Sequence, residues 1–331
     1  MQRRSIISIA GASALAGLPF AQAQQQPGRV WRIGVLSTTT PSAGPDRLGD
    51  VFQDALRELG FEVGRNLLVE RRSAEGRVDR LPGLAAELVG LKVDLIFAIA
   101  AGAVLAAQKA TSTTPIVMAA VLDPIEYGFA QSLARPGGNI TGVSLFGYDI
   151  LGKQIELLRT MIPKLSRVAV LSNPASPVPL SVAMGVLAML PKLGVTVVSV
   201  YARTAAEIGP AFASLKVAQV EAEAIIVGFD GLFYGQRERI AELAIKARLP
   251  SMFYLRQFVD AGGLISYGES GVDTMRLVAG FVAKILGGAN PGQLPIQQPT
   301  KFELVVNART ALALDLKIPA ELRLRADEVV G

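Results

Sequence analysis

Arg32-Ile33-Gly34-Val35-Leu36-Ser37 returns 135 positions downstream as Arg167-Val168-Ala169-Val170-Leu171-Ser172. Each copy is a basic residue, a short apolar run and a small hydroxyl residue that opens a polar, proline-containing loop. A buried parallel strand reads this way where its carboxyl end reaches the edge of a sheet. The landmarks that follow repeat in order. Leu59-Gly60 is answered by Leu193-Gly194, Val93–Ala98 by Ala224–Phe229, and Pro115–Met118 by Pro250–Phe253. Gly138–Gly142 is answered more loosely by Gly262–Ser266. Landmarks at a nearly constant offset are the mark of an internal duplication. A length of 331 residues also suits two domains better than one core.

The expected architecture is α/β: two Rossmann-like lobes with parallel sheets, joined by a multi-strand hinge. Strands are predicted at Arg32–Ser37, Asn66–Arg71, Asp94–Ile99, Ile116–Val121 and Ile140–Leu145, and again at Val168–Leu171, Thr196–Tyr201, Ala224–Phe229, Ser251–Tyr254 and Leu264–Tyr267. A helical stripe carries Leu48, Phe52, Ala55 or Leu56, and Leu59. Further helices are expected near Tyr127–Leu133, over Gly235–Ala247, and over 272–287 with Met275, Ala279, Val282 and Leu286 aligned. Crossovers near 145–150, 268–271 and 300–308 would place 30–145 with about 269–300 in the first lobe. The second lobe would then hold 146–268 with about 303–331.

Residues 1–23 have the pattern of an export signal: Arg3-Arg4, the apolar stretch Ile6–Phe20, then Ala21-Gln22-Ala23. The pair of arginines before Ser5-Ile6-Ile7 suits either a twin-arginine or a Sec route. No cysteine follows the cleavage site, so a soluble periplasmic protein without a lipid anchor is expected. Removing two arginines and no acid would take the net charge from +5 to 5 − 2 = +3. The basic residues are scattered and not interleaved with aromatics, which speaks against nucleic acid.

The chain contains neither His nor Cys. The usual zinc, copper, iron–sulfur and haem ligands are therefore missing, as is the base of Ser-His-Asp and Cys-His mechanisms. No cofactor is expected and no catalysis is the reading adopted; an enzyme built on carboxylates or lysine stays open as a rival and would need two acids converging in the cleft. Gly147–Lys153 fits G-x-x-x-x-G-K, but Gln154 stands where a phosphate loop needs Ser or Thr. Gly142-Val143-Ser144-Leu145-Phe146 fails as a nucleophile elbow at its last residue. The carboxylate pairs Glu221/Glu223 and Asp327/Glu328 read as solvated surface.

Position carries the rest. Ligands of open α/β sheets sit beyond the carboxyl ends of the strands, where helix N-termini present free N–H groups. The residues there are Ser37, Thr38 and Thr39; Ala100, Ala101 and Gly102; Asp123; Asn173; Asp230; and Tyr254, with Phe146, Tyr148 and Tyr267 on the crossovers. Hydroxyls and amides suit a carboxylate, aspartates an ammonium, aromatics a ring. Asp123 and Asp230 have turn capping as the competing role, and Tyr267 has packing within the hinge.

Several stretches resemble one family closely. Thr113–Val117, Asp123-Pro124, Leu133–Gly142 and Gly152-Lys153 with Glu156-Leu157-Leu158 are similar to the ABC transporter substrate-binding proteins, in their TrpX-like branch. Ala261–Gly268, Gln298–Asn307 and Leu324–Val329 match the C-terminal half of that family, so the resemblance spans the mature chain. It implies a type I periplasmic-binding-protein fold, a small-molecule ligand such as an aromatic amino acid or related carboxylate, and an ABC permease as partner; a monomer is expected. A periplasmic sensor subunit feeding a signalling receptor is the alternative with the same fold.

Overall fold

The computed structural model describes residues 29–39, 47–145, 149–176, 188–217 and 222–331. The export signal, Phe146, Tyr148 and the end of the loop after Thr39 lie outside them.

The first sheet is five-stranded and parallel, in the order β2-β1-β3-β4-β5, from β1 (Trp31–Ser37), β2 (Leu67–Ser73), β3 (Leu95–Ile99), β4 (Ile116–Val121) and β5 (Ile140–Ser144). The second is seven-stranded, in the order β12-β11-β10-β9-β8-β6-β7. It comprises β6 (Arg167–Ser172), β7 (Thr196–Tyr201), β8 (Ala224–Val227), β9 (Ser251–Phe253), β10 (Ile265–Glu269), β11 (Phe302–Asn307) and β12 (Glu328–Val330). Read from β7, its first five strands repeat the order of the first sheet, so the duplication heard in the sequence is a duplication of topology. β11 then pairs antiparallel with β10 and parallel with β12, an edge the repeat did not foretell.

The central strands are apolar at nearly every position because helices cover both faces. Over the first sheet, α1 (Arg47–Glu58) and α2 (Leu81–Gly90) lie on opposite sides, with α3 (Ala101–Ala110) beside α2. Phe52, Ala55 and Leu56 of α1 are buried as their spacing requires, whereas Leu59 falls past the helix end and is exposed. In the second lobe α4 (Asp149–Met161) covers one face of the sheet. The other face is covered by α5 (Ala205–Val217), α6 (Gly231–Gly235), α7 (Arg237–Lys246) and α8 (Arg256–Asp260). After β10 the chain crosses back, and α9 (Gly271–Leu286) packs on α1. Met275, Val278, Ala279, Val282 and Ile285 of α9 are buried with Ile33, Phe52 and Phe97. Each of the larger of these side chains contributes about 1.5–3 kcal/mol by leaving water, which fastens the segment to the first lobe. Gln297 extends this attachment, accepting from Ser144 N–H and donating to Gly142 O, before β11 returns to the second sheet. The small helices α10 (Ala308–Ala313) and α11 (Ala320–Arg325) close the second lobe.

Two expected helices differ. Residues 127–133 form turns, with Gly128 at φ +70 and Phe129 N–H bonded to Pro124 O. The helix expected over Gly235–Ala247 begins earlier and is split at Gln236, because Asp230 caps a separate first turn at Leu232. The carboxylates read as solvated also hold the frame: Glu223 accepts from Ser166 and Arg167 N–H, Asp327 from Leu304 N–H, and Glu328 pairs with Arg256. Lys153, the would-be phosphate lysine, pairs with Glu156 one helical turn away.

Candidate functional site

The carboxyl ends of both sheets face a cavity of about 210 Å³. From the first lobe it is lined by Ser37, Thr38 and Thr39 after β1, by Phe97, Ile99 and Ala100 on β3 and its end, by Ala119 and Ala120 on β4, and by Leu48 and Phe52 on α1. The second lobe adds Phe229, Asp230 and Gly231 after β8 and Tyr254 after β9, while Leu145, Glu269 and Thr274 line it from the crossovers and α9.

The local backbone is built to keep this space open. Thr39 O accepts from the hydroxyls of Ser37 and Ser73, and Thr38 O accepts from Gly76 N–H at 2.8 Å, so the loop after β1 is tied to the end of β2. Ala100 sits at φ +74 just before α3, and its carbonyl takes the N–H groups of Ala103 and Val104. The amides of Ala101 and Gly102 then have no acceptor within their own helix. Ala120 has φ +62 where the β4–β5 register shifts. The shift is possible because Gly142, at φ +135, has no side chain; a Cβ there would lie 2.3 Å from Met118 O. Positive φ at two alanines is uncommon strain, and both line the cavity.

Asp230 is held by several hydrogen bonds. Its Oδ1 accepts from Leu232 N–H at 2.8 Å and from Asn173 Nδ2 at 3.1 Å. Burial raises its pKa above the ordinary carboxyl value, against hydrogen bonds from Asn173, Leu232, Ser176 and Phe233 that pull it down. Across the cleft the Tyr127 phenol is pushed up to about 12, first by burial and then by the charges of Asp123 and Asp230. Because the folded state holds the Asp230 proton to higher pH than the unfolded chain, its contribution to stability is greatest below the unfolded pKa. That contribution is lost as pH rises through the folded value. Asp230→Asn keeps the cap and removes the titration. Its melting temperature should therefore gain on the wild type as pH is raised from acid to neutral, a trend that thermal melts at several pH values would check.

Of the residues expected from the sequence, Ser37, Thr38, Thr39, Asp230 and Tyr254 line the cavity. Ala101, Gly102 and Asn173 line a smaller space beside it, which shares Thr38, Asp230 and Gly231. Two belong elsewhere. Asp123 is absent from both linings; its Oδ1 accepts from the N–H groups of Ile125 and Glu126, the capping role a residue before Pro124 is suited to. Tyr267 stacks on Phe302 at 5.8 Å, and its carbonyl accepts from Gln154 at 2.9 Å, so it is packed into the hinge.

Glu269, Arg71, Phe52, Phe97 and Thr274 also line the cavity, away from the loop positions that strand polarity marks. Glu269 had a signal: alternation along β10 puts residues 265, 267 and 269 on one side. The aromatic pair Phe52 and Phe97, with ring centroids 5.0 Å apart, looked like ordinary core. The walls are thus aromatic and apolar, with a few polar groups placed among them, an arrangement that suits a small organic molecule with a ring and a polar end. Among the described residues, no group of three or more His, Cys, Asp or Glu is placed to hold a metal ion.

The family model for ABC transporter substrate binding proteins matches residues 40–330. This chain is a member of that family. Its members bind ligands rather than transform them. A tyrosine-binding protein of Clostridioides difficile is 30% identical over 286 residues, covering 86% of this chain and 79% of the relative. A Streptococcus pneumoniae ABC domain solved in complex with L-Trp superposes with a TM-score of 0.82 at 25% identity, covering 91% of this chain and 100% of that one. The ligand-free, open structure of a Clostridium difficile substrate-binding protein, also 25% identical, covers 91% of this chain and 99% of its own, with a TM-score of 0.64. The fold is that of the type I periplasmic binding proteins. At equal identity and coverage this substrate-binding protein matches the liganded relative better than the open one, so its lobes stand close together. Gly231 shows this directly: a Cβ on it would lie 2.1 Å from Thr38 Oγ1 in the opposite lobe.

Proposed function

We propose that this chain is exported to the periplasm, where it closes its two lobes on an aromatic amino acid or related carboxylate and delivers it to an ABC importer. The lobes are 30–145 with about 269–300, and 146–268 with about 303–331. The supporting observation is the position of the cavity: an aromatic-walled space bounded by strand ends of both lobes, so a ligand in it touches both. A ligand can shift an open–closed equilibrium only through contacts that differ between the two states, and contacts to both lobes meet that condition. The relatives named for tyrosine and solved with tryptophan point to the same ligand class. No helix among the described residues is long and apolar enough to cross a membrane, in keeping with a carrier that hands its load to a separate permease.

The test is a thermal-shift screen of the mature protein over amino acids and aromatic acids, followed by calorimetry on the hits. At least one aromatic amino acid or aromatic carboxylate should raise the melting temperature in proportion to the logarithm of its concentration. A protein that answers only to sugars or aliphatic solutes would refute the ligand class. Failure of the loaded protein to stimulate ATP hydrolysis by its reconstituted permease would refute delivery.

A further inference from the structure

A second cavity lies outside the cleft, on the same helix that lines it. With Gly271, Thr274 and Met275, one side of α9 faces the interlobe cavity. Another side forms, with the crossover segment 297–301, an open groove of about 300 Å³.

The helix is unusual at the centre of this groove. Gly280 has nothing within 4 Å of the Cβ it lacks, so packing does not call for glycine, and alanine is the better helix former. What the missing side chain leaves is room. Arg276 and Lys284 stand one turn before and one turn after Gly280, on the same face and roughly 12 Å apart along the axis. The Lys284 ammonium lies over the Phe281 ring at 5.8 Å, so it leans back along the helix towards the glycine. Leu277, Phe281 and Pro299 supply the apolar part of the lining. The crossover wall is fixed in place: the main chain of Gln297 is bonded to β5, and Lys301 O accepts from Ser270 N–H at 2.9 Å.

Charge in the groove is unbalanced. Asp273 is the one carboxylate in its lining, and its Oδ1 pairs with Lys301 at 3.1 Å. Arg276 and Lys284 line it with no acidic partner among the described residues. The lining therefore carries three cations and one acid, 3 − 1 = +2. Two unpaired cations on long side chains flank a gap, and an apolar strip runs beside it. Their complement is a molecule with an anionic head and a short apolar chain.

We infer that this groove is a second ligand site, for an organic anion: a phosphate or carboxylate carrying a short apolar chain. The head lies between Arg276 and Lys284, over Gly280, and the chain lies against Phe281 and Pro299. Gly280 is what admits the head, because a larger side chain there would take its place. The groove shares no residue with the interlobe cavity, so it stands whatever solute that cavity takes.

Amide NMR shifts of the full mature protein, titrated with n-hexyl phosphate, hexanoate, inorganic phosphate and 1-hexanol, test this. At least one of the first two should move the amides of 276–284 and 297–301 saturably, and bind there about threefold or more tightly than inorganic phosphate. Hexanol should leave those amides in place. Arg276→Gln combined with Lys284→Gln should weaken the anion about tenfold or more. Gly280→Leu keeps every charge and should weaken it by about the same factor, since the room for the head is filled. These positions lie on the outer side of the helix, where the fold tolerates substitution. Full affinity in Gly280→Leu would show that diffuse charge alone holds the anion, and would overturn the site. So would shifts confined to the cleft, or inorganic phosphate that binds as tightly as both chain-bearing anions.

Discussion

Gly231→Val is expected to raise the dissociation constant for the ligand by about a hundredfold or more while the protein stays folded. Gly231 opens α6 in the second lobe, directly after the Asp230 cap, and faces Thr38 of the first lobe. Any Cβ there would come within 2.1 Å of Thr38 Oγ1 and 2.8 Å of Thr38 Cβ. Rotating the threonine can move the hydroxyl but not its Cβ, so the lobes must part. Parting the lobes would remove this contact, so the clash opposes closure. The effect therefore falls on the closed state alone and appears as lost affinity and a larger radius of gyration by small-angle scattering in the presence of ligand. Thr38→Gly combined with Gly231→Val should recover part of the loss, as expected for two positions that meet only on closure. Full affinity in Gly231→Val would show that ligand binding does not bring these loops together.

The second large effect is on stability. Gly268→Ala should destabilise the protein by about 3 kcal/mol, near the upper end for overpacking a tight site. The obstacle is main chain: a Cβ at 268 would meet Tyr254 O at 1.9 Å and Tyr254 C at 3.0 Å, so no side-chain rotation relieves it. β9 and β10 would have to separate where the chain passes to α9. Gly280→Ala is the control of opposite sign. Gly280 lies inside α9 with nothing within 4 Å of its missing Cβ, and alanine there should stabilise by about 0.5–1 kcal/mol. Denaturant titration of the two variants beside the wild type would separate the cases. A Gly268→Ala protein as stable as the wild type would mean that the strand pair yields easily.

Much of this molecule can be read from local patterns. Arg32–Ser37 and Arg167–Ser172 are strands because an unbroken apolar run bounded by polar loops can be buried on both faces. The stripe Met275, Ala279, Val282 and Leu286 is a helix because those side chains share one side at 3.6 residues per turn. Ser37, Thr38, Thr39, Asp230 and Tyr254 were found as lining residues because strand polarity alone places them at the carboxyl ends. Asp123 shows the limit. It occupies the same kind of position after β4, yet its carboxylate is used by the two amides that follow Pro124.

What the amino-acid order determined by itself is the repeated half, its strand and helix periods and the end of each sheet at which a ligand would sit, since these depend on neighbours a few residues apart. Only the tertiary structure decided that Glu269 joins Tyr254 in the cavity wall, that Gly231 closes on Thr38, and that Tyr267 is spent on packing. Those outcomes rest on strand register, on the crossovers and on the approach of one lobe to the other, contacts between residues far apart in the chain that no local period encodes.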